Sequence, residues 1–184
     1  MSLKLTLKYK ISSWFPAKLK NSAREKKGEN LNNNPSVLIV CKDTDEAYYR
    51  ALKNFVQHLK GEYGIREILV VFYSENQEES LPGYLGHLKE LDYFCIDNLN
   101  WRLRPNKIIE RLNLNSYDIL LDLCSVKSHP LSCLISESNA SFKVGRAGRP
   151  YSEFMDLIIE ISEFSGEEEF LNQVEYYLSK LSFN

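Results

Sequence analysis

Nearly continuous apolar runs alternate along this chain with segments whose apolar residues recur at helical spacing. VLIVC, from Val37 to Cys41, has no polar position to turn toward water, which predicts a strand covered on both faces. In the segment that follows, KDTDEAYYRALKNFVQHLK, Tyr48, Ala51, Leu52, Phe55 and Leu59 share one face of an amphipathic helix, and Asp43 and Glu46 have the spacing of a capping box. A second strand is predicted over 67–73, a short helix over 81–90 and a third strand over 93–96. A loop at 98–105 then carries Trp101 between Asn100 and Arg102, before a short helix over 107–112.

The stretch 117–145, YDILLDLCSVKSHPLSCLISESNASFKVG, organises the second half. Ile119, Leu120, Leu121 and Leu123 form an apolar run broken only by Asp118 and Asp122, as a doubly covered strand requires. Pro130 suits the first helical position, and Leu131, Leu134 and Ile135 then fall on one helical face. A strand over 140–144 ends at Gly145, so the unit is strand, helix, strand with short connections, a right-handed parallel crossover. A sixth strand over 155–161 and a helix over 167–181 complete the chain. The sum is an α/β protein, a mostly parallel Rossmann-like or flavodoxin-like three-layer sandwich.

YDILLDL, the Pro-led helix and the ending SNASFKVGR resemble a family of short uncharacterised proteins from Bacteroidota, whose members carry a D-x-L-x-D-L stretch and a S-x-A-x-F-x-V-G ending. By order of elements the resemblance runs from about Pro35 onward. More distantly, the stretch is similar to the N-terminal Rossmann-like half of the lipopolysaccharide heptosyltransferases, where an Asp-bearing strand precedes a helix and an A-x-x-x-x-G strand. That likeness implies the same fold, and a nucleotide-sugar site held largely by a second domain.

With 184 residues, 43% of them hydrophobic, the chain can bury one full core and carry an appendage. It has no apolar run near the roughly 20 residues that span a bilayer and no signal-peptide pattern, so a cytoplasmic protein is expected. Cys41, Cys95, Cys124 and Cys133 lack a C-x-x-C pair, and His58, His87 and His129 are too scattered for local zinc ligation. No metal and no cofactor is expected. Charge divides the chain more sharply. Residues 1–35 hold eight of the 23 basic groups and two of the 25 acidic ones, so this part carries +6 and the remainder -8. The expected organisation is a basic arm and linker over 1–34 and a Rossmann-like domain over 35–184.

Chemistry in such a sheet belongs at the strand-to-helix turns. The first, Lys42 to Glu46, has three carboxylates and no glycine, which suits a capped helix and repels phosphate. The turn after the fourth strand sets Ser125, Lys127, Ser128 and His129 before a helix N-terminus, a possible anion pocket; equally, Ser128 or His129 caps the helix and Lys127 is solvated. No catalytic residue is assigned, because neither an orienting acid nor an oxyanion hole accompanies the serines and histidine. KVGRAGR, 143–149, reads as a phosphate-contacting loop or as a basic surface loop.

The arm is the strongest functional signal. Cations interleaved with aromatic and aliphatic residues suit RNA, with Lys4, Lys8, Lys10, Lys18, Lys20, Arg24, Lys26 and Lys27 on phosphates and Trp14 and Phe15 stacking. Arg146 and Arg149 add contacts. The reading is a non-catalytic, ribosome-associated or otherwise ribonucleoprotein-bound module with an RNA partner. The alternatives are a reduced glycosyltransferase-like enzyme or anion-binding domain at the turn after the fourth strand, and a peripheral membrane-associated protein. The arm can also fold back on its own acidic body.

Overall fold

The computed structural model describes residues 24–42, 45–78, 82–112, 117–149, 152–162 and 166–181. Six strands, β1 (Val37–Lys42), β2 (Ile68–Ser74), β3 (Leu91–Cys95), β4 (Ile119–Asp122), β5 (Phe142–Arg146) and β6 (Leu157–Ile159), form one sheet in the order β3-β2-β1-β4-β5-β6. Every neighbouring pair is parallel. This is the Rossmann order, and it decides between the two architectures left open by the sequence. Among the described residues four helices accompany the sheet: α1 (Glu46–Glu62), α2 (Asn106–Arg111), α3 (His129–Glu137) and α4 (Glu167–Lys180).

The two faces of the sheet explain the unbroken apolar runs. Val37, Ile39 and Cys41 of β1 join Ile119 and Leu121 of β4 in a core with α1 and α4. The intervening Leu38, Val40 and Leu120 face a second core with Ile108 and Leu112 from the α2 region and Leu131, Leu134 and Ile135 of α3. All five described β1 residues through Cys41 are fully buried, so no position along that strand is free to be polar. The chain moves outward from β1 to β3 with α1 on one face. It then crosses through α2 and moves the other way with α3 on the opposite face, as right-handed crossovers demand.

Local signals fix the element ends, with some shifts from expectation. Asp45 caps α1, its carboxylate accepting the Tyr48 N–H at 2.8 Å, while Asp43 of the expected capping box lies outside the described residues. Gly64, at φ 65°, turns the chain out of α1 and lets the Ile65 N–H return to the Leu59 carbonyl. Between β2 and β3 the expected helix is a short 3-10 turn, Gly83–His87, since two glycines and a flanking proline disfavour a longer helix. β6 is only three residues long, an edge strand that among the described residues pairs with β5 alone. Asp118 has the structural role of fastening a strand end: its Oδ2 accepts the N–H and the hydroxyl of Ser36, both at 2.8 Å, tying the start of β4 to the start of β1.

The residues just before the expected boundary at 34/35 contact the domain. Leu31 is fully buried in the core with α1 and α4, and the Asn30 amide donates to carbonyls of Ser179 and Leu181 at the end of α4. Residues 24–34 are therefore packed on the domain.

Gly145 sits against Met155, whose Cε would lie 2.9 Å from an added Cβ. The obstruction is the tip of a flexible thioether, so Gly145→Ala is expected to cost about 1 kcal/mol or less, while Gly145→Val should cost about 1–3 kcal/mol by overpacking. Urea denaturation of the two variants checks the difference.

Candidate functional site

The turn after β4 is built mainly by bonds that fix its own shape. Leu123 O accepts the Tyr48 hydroxyl at 2.5 Å, and Cys124 O accepts Arg149 Nη2 at 2.6 Å. Cys124 N–H returns to the buried Asp122 carboxylate at 3.1 Å. Ser125 is half-buried, and Val126 and Lys127 face solvent. Ser128 takes the N-cap position of α3, yet its side chain makes no capping bond and its Oγ is buried without a hydrogen-bond partner. The helix start is held instead by Ser132, whose hydroxyl donates to Ser128 O at 2.7 Å.

His129 lies half-buried at the first position of α3, with Nε2 at 3.8 Å from Cys133 Sγ one turn on. This contact places a cysteine beside a histidine, the pairing from which thiolate nucleophiles are made. The environment opposes activation. Burial lowers the His129 pKa, with the charge of Arg104 acting in the same direction, and burial pushes the Cys133 thiol up to about 11. At neutral pH the pair is a neutral imidazole against a thiol, and it packs rather than reacts.

The cations of KVGRAGR turn inward. Lys143 is buried and donates to Ile135 O at 2.6 Å. Arg146 pairs with Glu167 at 2.5 Å, with its guanidinium 4.2 Å from the Phe170 ring centroid, and Arg149 is spent on Cys124 O. Arg146 and Arg149, expected to add phosphate contacts, are held by carboxylate and carbonyl partners within the domain.

Of the arm residues, Lys4, Lys8, Lys10, Trp14, Phe15, Lys18 and Lys20 lie outside the described residues. Arg24 is docked, its side chain 5% exposed. Its Nη1 donates to Ala140 O and Ser141 O at 3.0 and 2.7 Å, and its Nη2 reaches Asp156 Oδ2 at 2.5 Å. Lys26 pairs with the same carboxylate at 3.1 Å, and Lys27 with Glu29 at 2.7 Å. Arg24 is therefore anchored to the domain; Lys26 and Lys27 remain mostly solvent-facing.

The structure also brings forward a loop that sequence reasoning left without a role. After β3 and a 3-10 turn, Ile96–Asn98, Asn100 organises a tight turn in which its Oδ1 accepts the N–H groups of Arg102 and Arg104 at 2.8 and 3.1 Å. Leu103 adopts φ 58° and drives its side chain into the core. That conformation is costly for a branched residue, so it persists because the buried leucine and the Asn100 bonds jointly impose it. Trp101 is left 51% exposed, with the Arg102 guanidinium 4.5 Å from its ring centroid, beside a cleft of about 540 Å³. The sequence signal was a tryptophan flanked by polar residues in a connecting loop.

Among the described residues no group of three His, Cys, Asp or Glu side chains is placed to hold a metal ion, and no helix is long and apolar enough to cross a membrane. The profile of DUF6913, a family of unknown function, matches residues 8–181. No curated protein sequence matches the chain. Among solved structures, the heptosyltransferase WaaC from E. coli, with ADP, is similar over 79% of this chain and 48% of its own, at a TM-score of 0.53 and 16% identity. The chain spans about half the length of that enzyme, and the likeness is one of fold.

Proposed function

The chain belongs to DUF6913, a family of unknown function, and from there we propose that it is a non-catalytic binding module anchored to RNA, in a cytoplasmic ribonucleoprotein such as the ribosome, through its basic N-terminal segment. The observation that carries this reading is the docking of Arg24, which fixes the root of the segment to the domain through Ala140, Ser141 and Asp156. Upstream of it, residues 1–23 contain five lysines and no acidic residue. The charges of Arg24, Lys26 and Lys27 are largely answered by Asp156 and Glu29, so the upstream lysines supply the net attraction for a polyanion, with Trp14 and Phe15 able to stack on bases. The unactivated Cys133–His129 pair gives no support to catalysis at the turn after β4.

Fluorescence anisotropy with a single-stranded RNA tests the proposal. Five phosphate contacts correspond to a log K against log salt slope of about -3.5, using roughly 0.7 per contact for single strands. Replacing Lys4, Lys8, Lys10, Lys18 and Lys20 together by alanine should abolish binding and leave the domain folded. Binding that survives those substitutions, or no salt-dependent binding at all, defeats the reading.

A further inference from the structure

We propose that the cleft beside Trp101 is a binding site for an uncharged carbohydrate. The inference goes beyond the RNA reading and does not depend on it.

The cleft lies past the carboxyl end of β3, the side on which open parallel sheets place their ligands, and its volume of about 540 Å³ suits a small molecule. A second hollow of about 420 Å³ shares Asn100, Arg104 and Asn106 with it, which leaves room for more than one sugar ring. The chemistry of the lining selects the ligand. Charged lining groups are two arginines, Arg102 and Arg104, and two glutamates, Glu110 and Glu137, so their formal charges cancel. Arg104 is ion-paired with Glu137, and Arg102 lies over the Trp101 ring. A phosphorylated or carboxylated ligand would find no net attraction there, since anion sites require an excess of donors or cations.

An uncharged ligand with one apolar face and many hydroxyls fits better. Arg102 lies over the Trp101 ring, and the half of the side chain that stays exposed is the apolar surface on which the C–H face of a pyranose would pack. Asn106, exposed at the first position of α2, offers both a donor and an acceptor, and Glu110 one turn on offers a carboxylate acceptor, a set suited to neighbouring hydroxyls. The site is prearranged: Asn100 and the buried Leu103 hold the turn, so little ordering cost falls on the ligand.

The test uses the full-length protein in two-dimensional NMR, with the Trp101 indole signal assigned by Trp101→Phe, titrated with the methyl glycosides of glucose, galactose and mannose and with N-acetylglucosamine. Adenosine and uridine serve as uncharged aromatic competitors. At least one sugar should shift the Trp101 indole saturably. Trp101→Ala should weaken that binding about tenfold or more, read from the sugar signals, and Asn106→Ala should weaken it severalfold, with the remaining amide spectrum reporting an intact fold. The proposal is overturned if no sugar moves the Trp101 signal, or if sugar binding is undiminished in Trp101→Ala. It is equally overturned if the nucleosides move the signal while the sugars do not, which would make Trp101 a base-stacking platform.

Discussion

Asp156→Ala is expected to destabilise the domain by about 3–5 kcal/mol, the range for removing one partner of a buried ion pair. The carboxylate is 11% exposed and receives Arg24 Nη2 at 2.5 Å, the Lys143 backbone N–H at 2.9 Å and Lys26 Nζ at 3.1 Å. Without it the Arg24 guanidinium stays buried with only carbonyl partners, close to the buried amine of Lys143. In a chain of this size the melting temperature should fall by about 6–20 °C. Urea denaturation of Asp156→Ala, Arg24→Met and the double variant measures the coupling, and a single-variant loss below about 1 kcal/mol would contradict it. The same substitution should release the segment around Arg24, accelerating tryptic cleavage between residues 24 and 27. The pH dependence follows in sign. Burial alone would raise the Asp156 pKa, but hydrogen bonds from Arg24, the Lys143 N–H and Lys26 outweigh it and hold the carboxyl below its usual 3.8. A carboxyl depressed on folding contributes stability above its unfolded value, and that contribution disappears as pH falls through the folded value, so the loss is confined to acid below about pH 4.

The second large effect is a rise in stability with pH above neutrality, caused by Lys143. Its side chain points from β5 toward α3, where the residue is 1% exposed and its amine donates to Ile135 O at 2.6 Å. Burial pushes its pKa down from 10.5 to about 7, with the Arg24 charge adding to the shift and Asp156 opposing it. Below pH 7 the amine is protonated in both states and the full cost of burying the charge is present. Between about 7 and 10.5 the unfolded chain binds the extra proton, so folding stability climbs with pH, by at most about 1.4 kcal/mol per unit, and levels off beyond. Lys143→Met keeps similar volume and removes the ionisable group. It should be more stable than the wild type by about 1–4 kcal/mol at pH 6. Toward pH 10 the advantage should vanish, or reverse by about 1 kcal/mol through loss of the bond to Ile135 O. Urea midpoints of both proteins from pH 6 to 10 decide the matter: parallel curves would show that Lys143 does not titrate in this range.

Lys143 and Arg24 also mark the boundary of what local sequence reveals. FKVGR reads as a strand ending in cations, and nothing in it says that the lysine points into a core; that follows from the position of α3 and its Ile135 carbonyl over the sheet. Arg24 counted toward a basic arm, while its partner Asp156 lies 132 residues away and is brought to it only when β5 and β6 are laid side by side. The cleft at Trp101 was visible as an odd tryptophan in a polar loop, but its walls come from α2 and from Glu137 at the end of α3.

By itself the sequence determined the alternation of buried strands and amphipathic helices, the parallel sense of the sheet, the seat of β4 and α3, and the unequal charge of the two ends. These properties are periodic or local: they depend on which residues neighbour one another within a turn or a strand, and hydrophobic burial enforces them wherever the element docks. The strand order β3-β2-β1-β4-β5-β6, the inward aim of Arg146 and Arg149, the clamp on Arg24 and the hollow beside Trp101 were decided by tertiary structure alone. Each is a pairing between groups far apart in the chain, and its partner is chosen by which surfaces packing brings together.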